Sequence, residues 1–217
     1  MRVEIKFCGM TRPEDVRSGA ALNARYVGVI FAGGPRTLTV ARAMQVLAVA
    51  KESGNGPRTV GVFGDAPADE IRGAAERLQL DAVQLHGAMD ARVVEKLRRA
   101  LPAEIWAVVR VEGASLPATT KDFFQLADAV VLDAKVPGQL GGTGISLPWE
   151  QLALPLEALR GATRLVLAGG LRPENVGEAI RLLRPDVVDV SSGVETAPGI
   201  KDPARMRAFR DAVLGSE

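Results

Sequence analysis

The sequence contains a single cysteine, Cys8, in 217 residues. One cysteine makes no internal disulfide, so nothing calls for an oxidising compartment. Histidine is equally rare: His86 stands alone. One histidine and one cysteine do not make a recognisable ligand cluster, so no metal is expected. Aromatic residues reach only 4%, against 47% hydrophobic residues overall. An apolar content carried by Ala, Val and Leu suits packed helices and buried parallel strands better than an antiparallel sandwich. Neither sign of charge is in surplus, with 27 basic and 26 acidic residues. That argues against nucleic-acid or membrane-surface binding, which rests on clustered positive charge. Long apolar runs are missing too. Leu165–Ala168 is typical, far below the roughly 18 residues of a membrane helix. The opening Met1–Lys6 alternates charged and apolar residues without a signal-peptide core, so a cytoplasmic location is expected.

What remains is a chain long enough to bury a sizeable core, read as one domain over residues 1–217. Eight short runs rich in β-branched and apolar residues recur: Val3–Cys8, Tyr26–Phe31, Thr59–Phe63, Ala82–Leu85, Ile105–Val111, Ala129–Asp133, Leu165–Ala168 and Val187–Val190. Several lack strict alternation, as strands buried on both faces should. Helical spacing separates them over Ala68–Leu78, Ala91–Leu101, Val176–Leu183 and Pro203–Val213. Thr11-Arg12-Pro13-Glu14 has the spacing of a capping box. Arg172-Pro173-Glu174-Asn175-Val176 resembles Arg12-Pro13-Glu14-Asp15-Val16, a weak sign of an internal βα repeat. Most strand starts lie 22 to 24 residues apart, with two gaps of 33 and 36. Eight βα units point to an α/β fold, a (β/α)₈ barrel with a parallel eight-stranded core. A doubly wound open sheet is the alternative, disfavoured because no clear Rossmann fingerprint is present. The stretch Lys135–Trp149 is too long for an ordinary connection and is expected to be a mobile active-site loop.

A barrel's active site lies at the carboxyl ends of its strands. Those ends carry Cys8-Gly9, Gly33-Gly34-Pro35-Arg36, Gly64-Asp65, His86-Gly87, Arg110, Asp133, Gly169-Gly170 and Ser191-Ser192-Gly193. Gly169-Gly170 and Ser192-Gly193 lie between a strand and an expected helix start. Together they suit a phosphate held by backbone amides after strands seven and eight. Cys8 is either a small buried hydrophobe or a catalyst. Lys6 shares its parity, and a nearby ammonium raises the thiolate fraction. Asp133 leaves an apolar strand for the rim, which suits a carboxyl whose pKa is raised by desolvation, although it could equally cap a turn. A base and an acid on opposite sides of a substrate suit proton transfer between neighbouring carbons. His86 reads as a hydrogen-bonded rim residue that orients others. Arg36 is either a solvated charge or a fork for a substrate carboxylate. Gly141-Gly142-Thr143-Gly144 is not a Walker loop, and Trp106 and Trp149 read as packing residues.

In this order the motifs resemble the phosphoribosylanthranilate isomerase family. They are Lys6-Phe7-Cys8-Gly9-Met10-Thr11, Val60–Phe63, Val83-Gln84-Leu85-His86-Gly87, Leu132-Asp133 with Gly141–Gly144 and Trp149, Leu167–Leu171 with Pro173–Val176, and Asp189–Glu195 followed by Pro198–Asp202. The resemblance covers nearly the whole chain. It implies an Amadori rearrangement of an aminoaldose phosphate to an aminoketose in tryptophan biosynthesis. Asp133 would be the general acid that opens the ribose ring, and Cys8 the general base at C2. Arg36 would bind the anthranilate carboxylate. Gly169, Gly170, Ser192 and Gly193 would form the phosphate site, with His86 and Asp189 lining the pocket. It implies no cofactor, a small phosphosugar substrate, no nucleic-acid or membrane partner, and a monomer or homodimer.

Three positions depart from the family pattern: Gly34 where a serine is usual, Asp65 where an asparagine is frequent, and Ile145–Trp149 without the usual phenylalanine. The competing readings are an indole-glycerol-phosphate-synthase-like lyase, a phosphate-binding barrel without catalysis, and an isomerase that also takes the related histidine-pathway substrate. The first would need lysine and glutamate at the rim where this chain offers Cys8 and Asp133. Intact Cys8, Asp133 and Arg36 oppose the second. Such bifunctional enzymes use paired aspartates, which opposes the third.

Overall fold

The computed structural model describes residues 2–52, 54–87, 90–134 and 147–216. Most of the expected loop at Lys135–Trp149, with its Gly141–Gly144 motif, lies outside the described residues. Eight strands are hydrogen-bonded in sequence order into a closed barrel. They are β1 (Glu4–Phe7), β2 (Tyr26–Ile30), β3 (Arg58–Phe63), β4 (Ala82–Leu85), β5 (Glu104–Val111), β6 (Ala129–Ala134), β7 (Arg164–Leu167) and β8 (Val187–Val190). Every neighbouring pair is parallel, and β1 closes on β8 with Lys6 opposite Asp189. The expected strands agree with these to within a residue or two at each end. Helices follow the strands: α1 (Pro13–Ala21), α2 (Val40–Leu47), α3 (Ala68–Leu78), α4 (Ala91–Ala100), α5 (Thr120–Leu126), α6 (Trp149–Arg160), α7 (Val176–Leu183) and α8 (Pro203–Leu214).

The alternation of side chains along each strand sorts the core into two compartments. Tyr26, Val60, Ala82, Trp106, Val108, Val131 and Val166 fill the barrel interior. Residues of opposite parity, such as Phe7, Val83, Val130 and Leu132, pack outward beneath the helices with Val16, Ile71 and Leu97. Strands buried on both faces are why strict alternation is missing from the sequence. The base of the barrel is closed by ionic pairs. Arg164 reaches Glu4 at 2.5 Å and donates to the Tyr26 hydroxyl at 2.8 Å, while Arg58 pairs with Glu104. Tyr26 meets Trp106 edge to face at 4.9 Å, so Trp106 is a packing residue as expected.

Two readings of the turns need correction. The capping box does not form. Arg12 takes the N-cap position of α1 without a side-chain cap, and the Thr11 hydroxyl donates instead to the Gly199 carbonyl at 2.5 Å. Proline at the first helical position already removes one amide that would need a cap. The two similar pentapeptides are not equivalent either. Pro13 starts α1, but α7 begins only at Val176. Asn175 there accepts from the Arg172 amide at 2.7 Å and donates to the Gly170 carbonyl at 3.0 Å, folding the segment into a turn. Two further elements follow β8 that the sequence did not announce. These are a single 3₁₀ turn at Ser192–Val194 and a hairpin of β9 (Glu195–Ala197) with β10 (Ile200–Lys201).

Candidate active site

Strand parity points Lys6, Gln84, Asp133 and Asp189 into the barrel, and Cys8 and His86 continue the same faces of β1 and β4. These side chains meet in a cavity at the carboxyl ends of the strands. Its lining includes Cys8, Arg36, His86, Asp133 and Asp189. Gly169, Gly170 and Ser192 complete one side of it. Gly193 sits just behind, in the 3₁₀ turn, where a β-carbon would lie 2.1 Å from the Leu171 carbonyl oxygen. Only glycine lets these two backbone segments touch. Gly169 has a φ of +81°, and a β-carbon there would crowd Asp133 Oδ1 at 2.8 Å. The Gly169-Gly170 pair does not open a helix directly, because α7 starts six residues after Gly170.

Under the cavity floor lies a buried ionic network. Lys6 Nζ donates to Asp189 Oδ2 at 2.6 Å and to Gln84 Oε1 at 2.9 Å, all three side chains being buried. Burial works against the Lys6 charge, but Asp189 and Cys8 outweigh it and keep Lys6 above its ordinary pKa. For Cys8 the balance goes the other way. Burial raises the thiol and Lys6 offsets this only in part, so the net shift is upward. The ammonium is present, but in a pocket dry enough to outweigh it. Asp133 is pushed up to about 6, mainly by burial and then by the neighbouring Asp189. The buried His86 is lowered to about 4 by burial, then by Arg110 and Lys6. Its Nε2 lies 3.3 Å from Asp133 Oδ2, and neither ring nitrogen makes an aligned hydrogen bond among the described residues. His86 thus lines the rim cavity as expected from the sequence, but among the described residues it lacks the hydrogen bonds that reading gave it. Among the described residues Asp189 Oδ1 is likewise buried without a partner.

Gly28 on β2 makes room for this network. A β-carbon there would stand 3.0 Å from Cys8 Sγ and 3.2 Å from Lys6 Cε. Gly28→Ala should displace both groups, cost about 1–3 kcal/mol of stability through overpacking, and lower kcat. Parallel denaturant unfolding and steady-state kinetics would check it. Wild-type values in both would show that the wall yields without consequence.

Arg36, from the β2–α2 loop, is held by Glu195. Its Nε lies 2.9 and 3.1 Å from the two carboxylate oxygens, and Nη2 lies 2.7 Å from Oε2. Glu195 also accepts from Lys201 Nζ at 2.7 Å. Sequence reasoning overlooked Glu195 and Lys201 as chemistry. The available signal was two charged residues within one motif, close to a glycine-bearing turn.

Comparison with known proteins places this geometry. Residues 5–212 match the family model for N-(5'-phosphoribosyl)anthranilate (PRA) isomerase. An N-(5'-phosphoribosyl)anthranilate isomerase of Paracoccus denitrificans is 39% identical over 218 residues, covering 96% of each chain. The crystal structure of phosphoribosyl anthranilate isomerase from Thermotoga maritima superimposes with a TM-score of 0.87 at 30% identity, covering 98% of this chain and 99% of that one. A crystal structure of a phosphoribosyl anthranilate isomerase in complex with reduced 1-(o-carboxyphenylamino)-1-deoxyribulose 5-phosphate superimposes with a TM-score of 0.83 at 30% identity, covering 98% and 99% of the two chains. A barrel closed by eight parallel strands, a cavity at their carboxyl ends and a full-length match in sequence agree with one another: the chain belongs to the N-(5'-phosphoribosyl)anthranilate isomerase family.

Proposed function

We propose that this chain isomerises N-(5-phosphoribosyl)anthranilate to 1-(2-carboxyphenylamino)-1-deoxyribulose 5-phosphate, a step of tryptophan biosynthesis, as a single catalytic domain without a cofactor. The observation that carries the reading is one cavity lined by both Cys8 and Asp133, in which burial lifts the Asp133 carboxyl to about 6. A carboxyl in that range keeps a usable protonated fraction near neutrality.

Asp133 gives its proton to the ribose ring oxygen. The C1–O bond breaks, and the anthranilate nitrogen lone pair forms C1=N. Cys8, as thiolate, removes the C2 proton. The C2–H electron pair becomes C1=C2 and the nitrogen regains its lone pair. The enolamine then loses its hydroxyl proton as C1 gains one, which leaves the C2 ketone. Two protons are given and two are taken, so the step is redox-neutral. Lys6 supports the thiolate against burial. Neutral His86 stands beside Asp133 without competing as an acid. Asp189 Oδ1, without a partner among the described residues, is an acceptor for a ribose hydroxyl. Gly170, Ser192 and Gly193 hold the phosphate through the backbone, and Arg36 takes the anthranilate carboxylate.

The test is loss of anthranilate-type fluorescence when the purified chain meets freshly made phosphoribosylanthranilate. Turnover supports the reading, and a folded chain without turnover discards it in favour of a phosphate-binding barrel. Arg36→Ala should raise KM by about tenfold or more, the loss of one charge-assisted pair. An unchanged KM would remove Arg36 from carboxylate recognition.

A further inference from the structure

The cations and carboxylate around Arg36 are arranged to do more than neutralise one another. Glu195 and Lys201 are buried, and the guanidinium of Arg36 is largely so. Lys201 Nζ is held by Glu195 Oε1 at 2.7 Å and by the Ser191 carbonyl at 3.1 Å. The Lys201 amide donates to Asp15 Oδ2 at 3.3 Å, and Asp15 is itself gripped by Arg12 at 2.6 and 2.9 Å. The chain of contacts runs from the start of α1, through the β9–β10 hairpin, to the loop after β2. Beneath Arg36 lies Gly9 with φ of +73°, where a β-carbon would sit 2.6 Å from Arg36 Cδ. The Arg36 side chain thus packs over Gly9, the residue that follows Cys8.

Glu195 occupies the Nε and Nη2 side of the guanidinium. A guanidinium has five N–H donors, so the Nη1 and Nη2 end still offers a second bidentate edge. Two cations and one carboxylate leave one positive charge, which a single substrate carboxylate balances. We propose that Glu195, braced by Lys201, is a positioning residue that fixes the Arg36 fork so that its remaining edge receives the substrate carboxylate. This rests on the reading of Arg36 given above.

Removing the Glu195 charge should disorder the fork rather than strengthen its pull on an anion. Burial already lowers the Lys201 pKa even with Glu195 present. Without that carboxylate, burial acts on Lys201 with less opposition and pushes its pKa further down, so the surplus positive charge is held less firmly. In Glu195→Gln an amide that faces Lys201 also sets donor against donor. Arg36 would then be one long side chain on a loop, free to leave the productive pose.

The experiment is a KM comparison across Glu195→Gln, Arg36→Ala and the double variant, with inhibition by ribose 5-phosphate as a probe lacking the carboxylate. The expected result is a KM about tenfold higher in Glu195→Gln, a ribose 5-phosphate inhibition constant within about twofold of wild type, and no further rise in KM when Glu195→Gln is added to Arg36→Ala. If Glu195→Gln folds poorly, Glu195→Gln with Lys201→Met removes the orphaned charge and the same KM rise is expected. Three results overturn the proposal. The first is an unchanged KM in Glu195→Gln while Arg36→Ala raises it, and the second is an equal weakening of both ligands in Glu195→Gln, as a structural lesion would give. An Arg36→Ala variant with wild-type KM would instead remove the carboxylate reading on which the proposal rests.

Discussion

Cys8→Ser and Asp133→Asn should each fold and lose turnover by about 10²–10⁴-fold, the range for one proton-transfer group. The pH profile should identify the pair. Asp133 ionises at about 6, while burial keeps Cys8 protonated beyond the ordinary thiol range. The productive form, protonated Asp133 with thiolate Cys8, is therefore a minority between those limits. Its population is constant there, because each pH unit that leaves tenfold less Asp133 protonated frees tenfold more thiolate. A flat kcat/KM from about pH 6 into the alkaline range is expected, falling on either side. An acid limb centred near an ordinary carboxyl pKa would show that the desolvated Asp133 is not the titrating group.

Asp133→Asn should also stabilise the protein while silencing it. The folded pKa of Asp133 lies about two units above an unfolded carboxyl, so the folded state binds the extra proton. The ionised side chain then costs about 3 kcal/mol above pH 6, and the cost vanishes as pH falls towards 4. His86 has the opposite sign. Its folded pKa of about 4 lies below the unfolded value, so stability is lost as pH falls through the window from about 6.5 to 4. In the wild type these two slopes largely cancel. Asp133→Asn should therefore raise Tm at pH 8 and steepen the decline below pH 6. Equal Tm values at pH 8 would show that Asp133 is not held ionised at a cost.

The barrel was legible because each strand is a short β-branched run and the βα spacing is regular. Parity alone placed Cys8 and Lys6 on one side of β1, and the end of an apolar run placed Asp133 at the rim of β6. Contacts between residues distant in sequence were not legible. Lys6 meets Asp189 across 183 positions and Arg36 meets Glu195 across 159. No local pattern encodes either pair, because barrel closure and the hairpin after β8 bring them together. Thr11 shows the reverse failure. Its capping spacing is correct, but the hydroxyl finds a better acceptor in Gly199, a residue 188 positions away.

The same closure makes Lys6→Met the substitution with the largest expected loss of stability. Lys6 is fully buried and its partner Asp189 is nearly so. Removing one member of a buried pair leaves the other uncompensated, at a cost of about 3–5 kcal/mol. Removing both is far milder, so Lys6→Met with Asp189→Asn should recover most of that loss in urea unfolding. Activity should not follow stability. Lys6 is the strongest influence that opposes burial of the Cys8 charge, and neither variant restores it. Alkylation of Cys8 by iodoacetamide should shift to higher pH in both, and turnover should stay low in both. Recovery of turnover in the stable double variant would mean that Lys6 serves only to neutralise Asp189. Persistent inactivity with an upshifted alkylation profile would place it in the service of the thiolate.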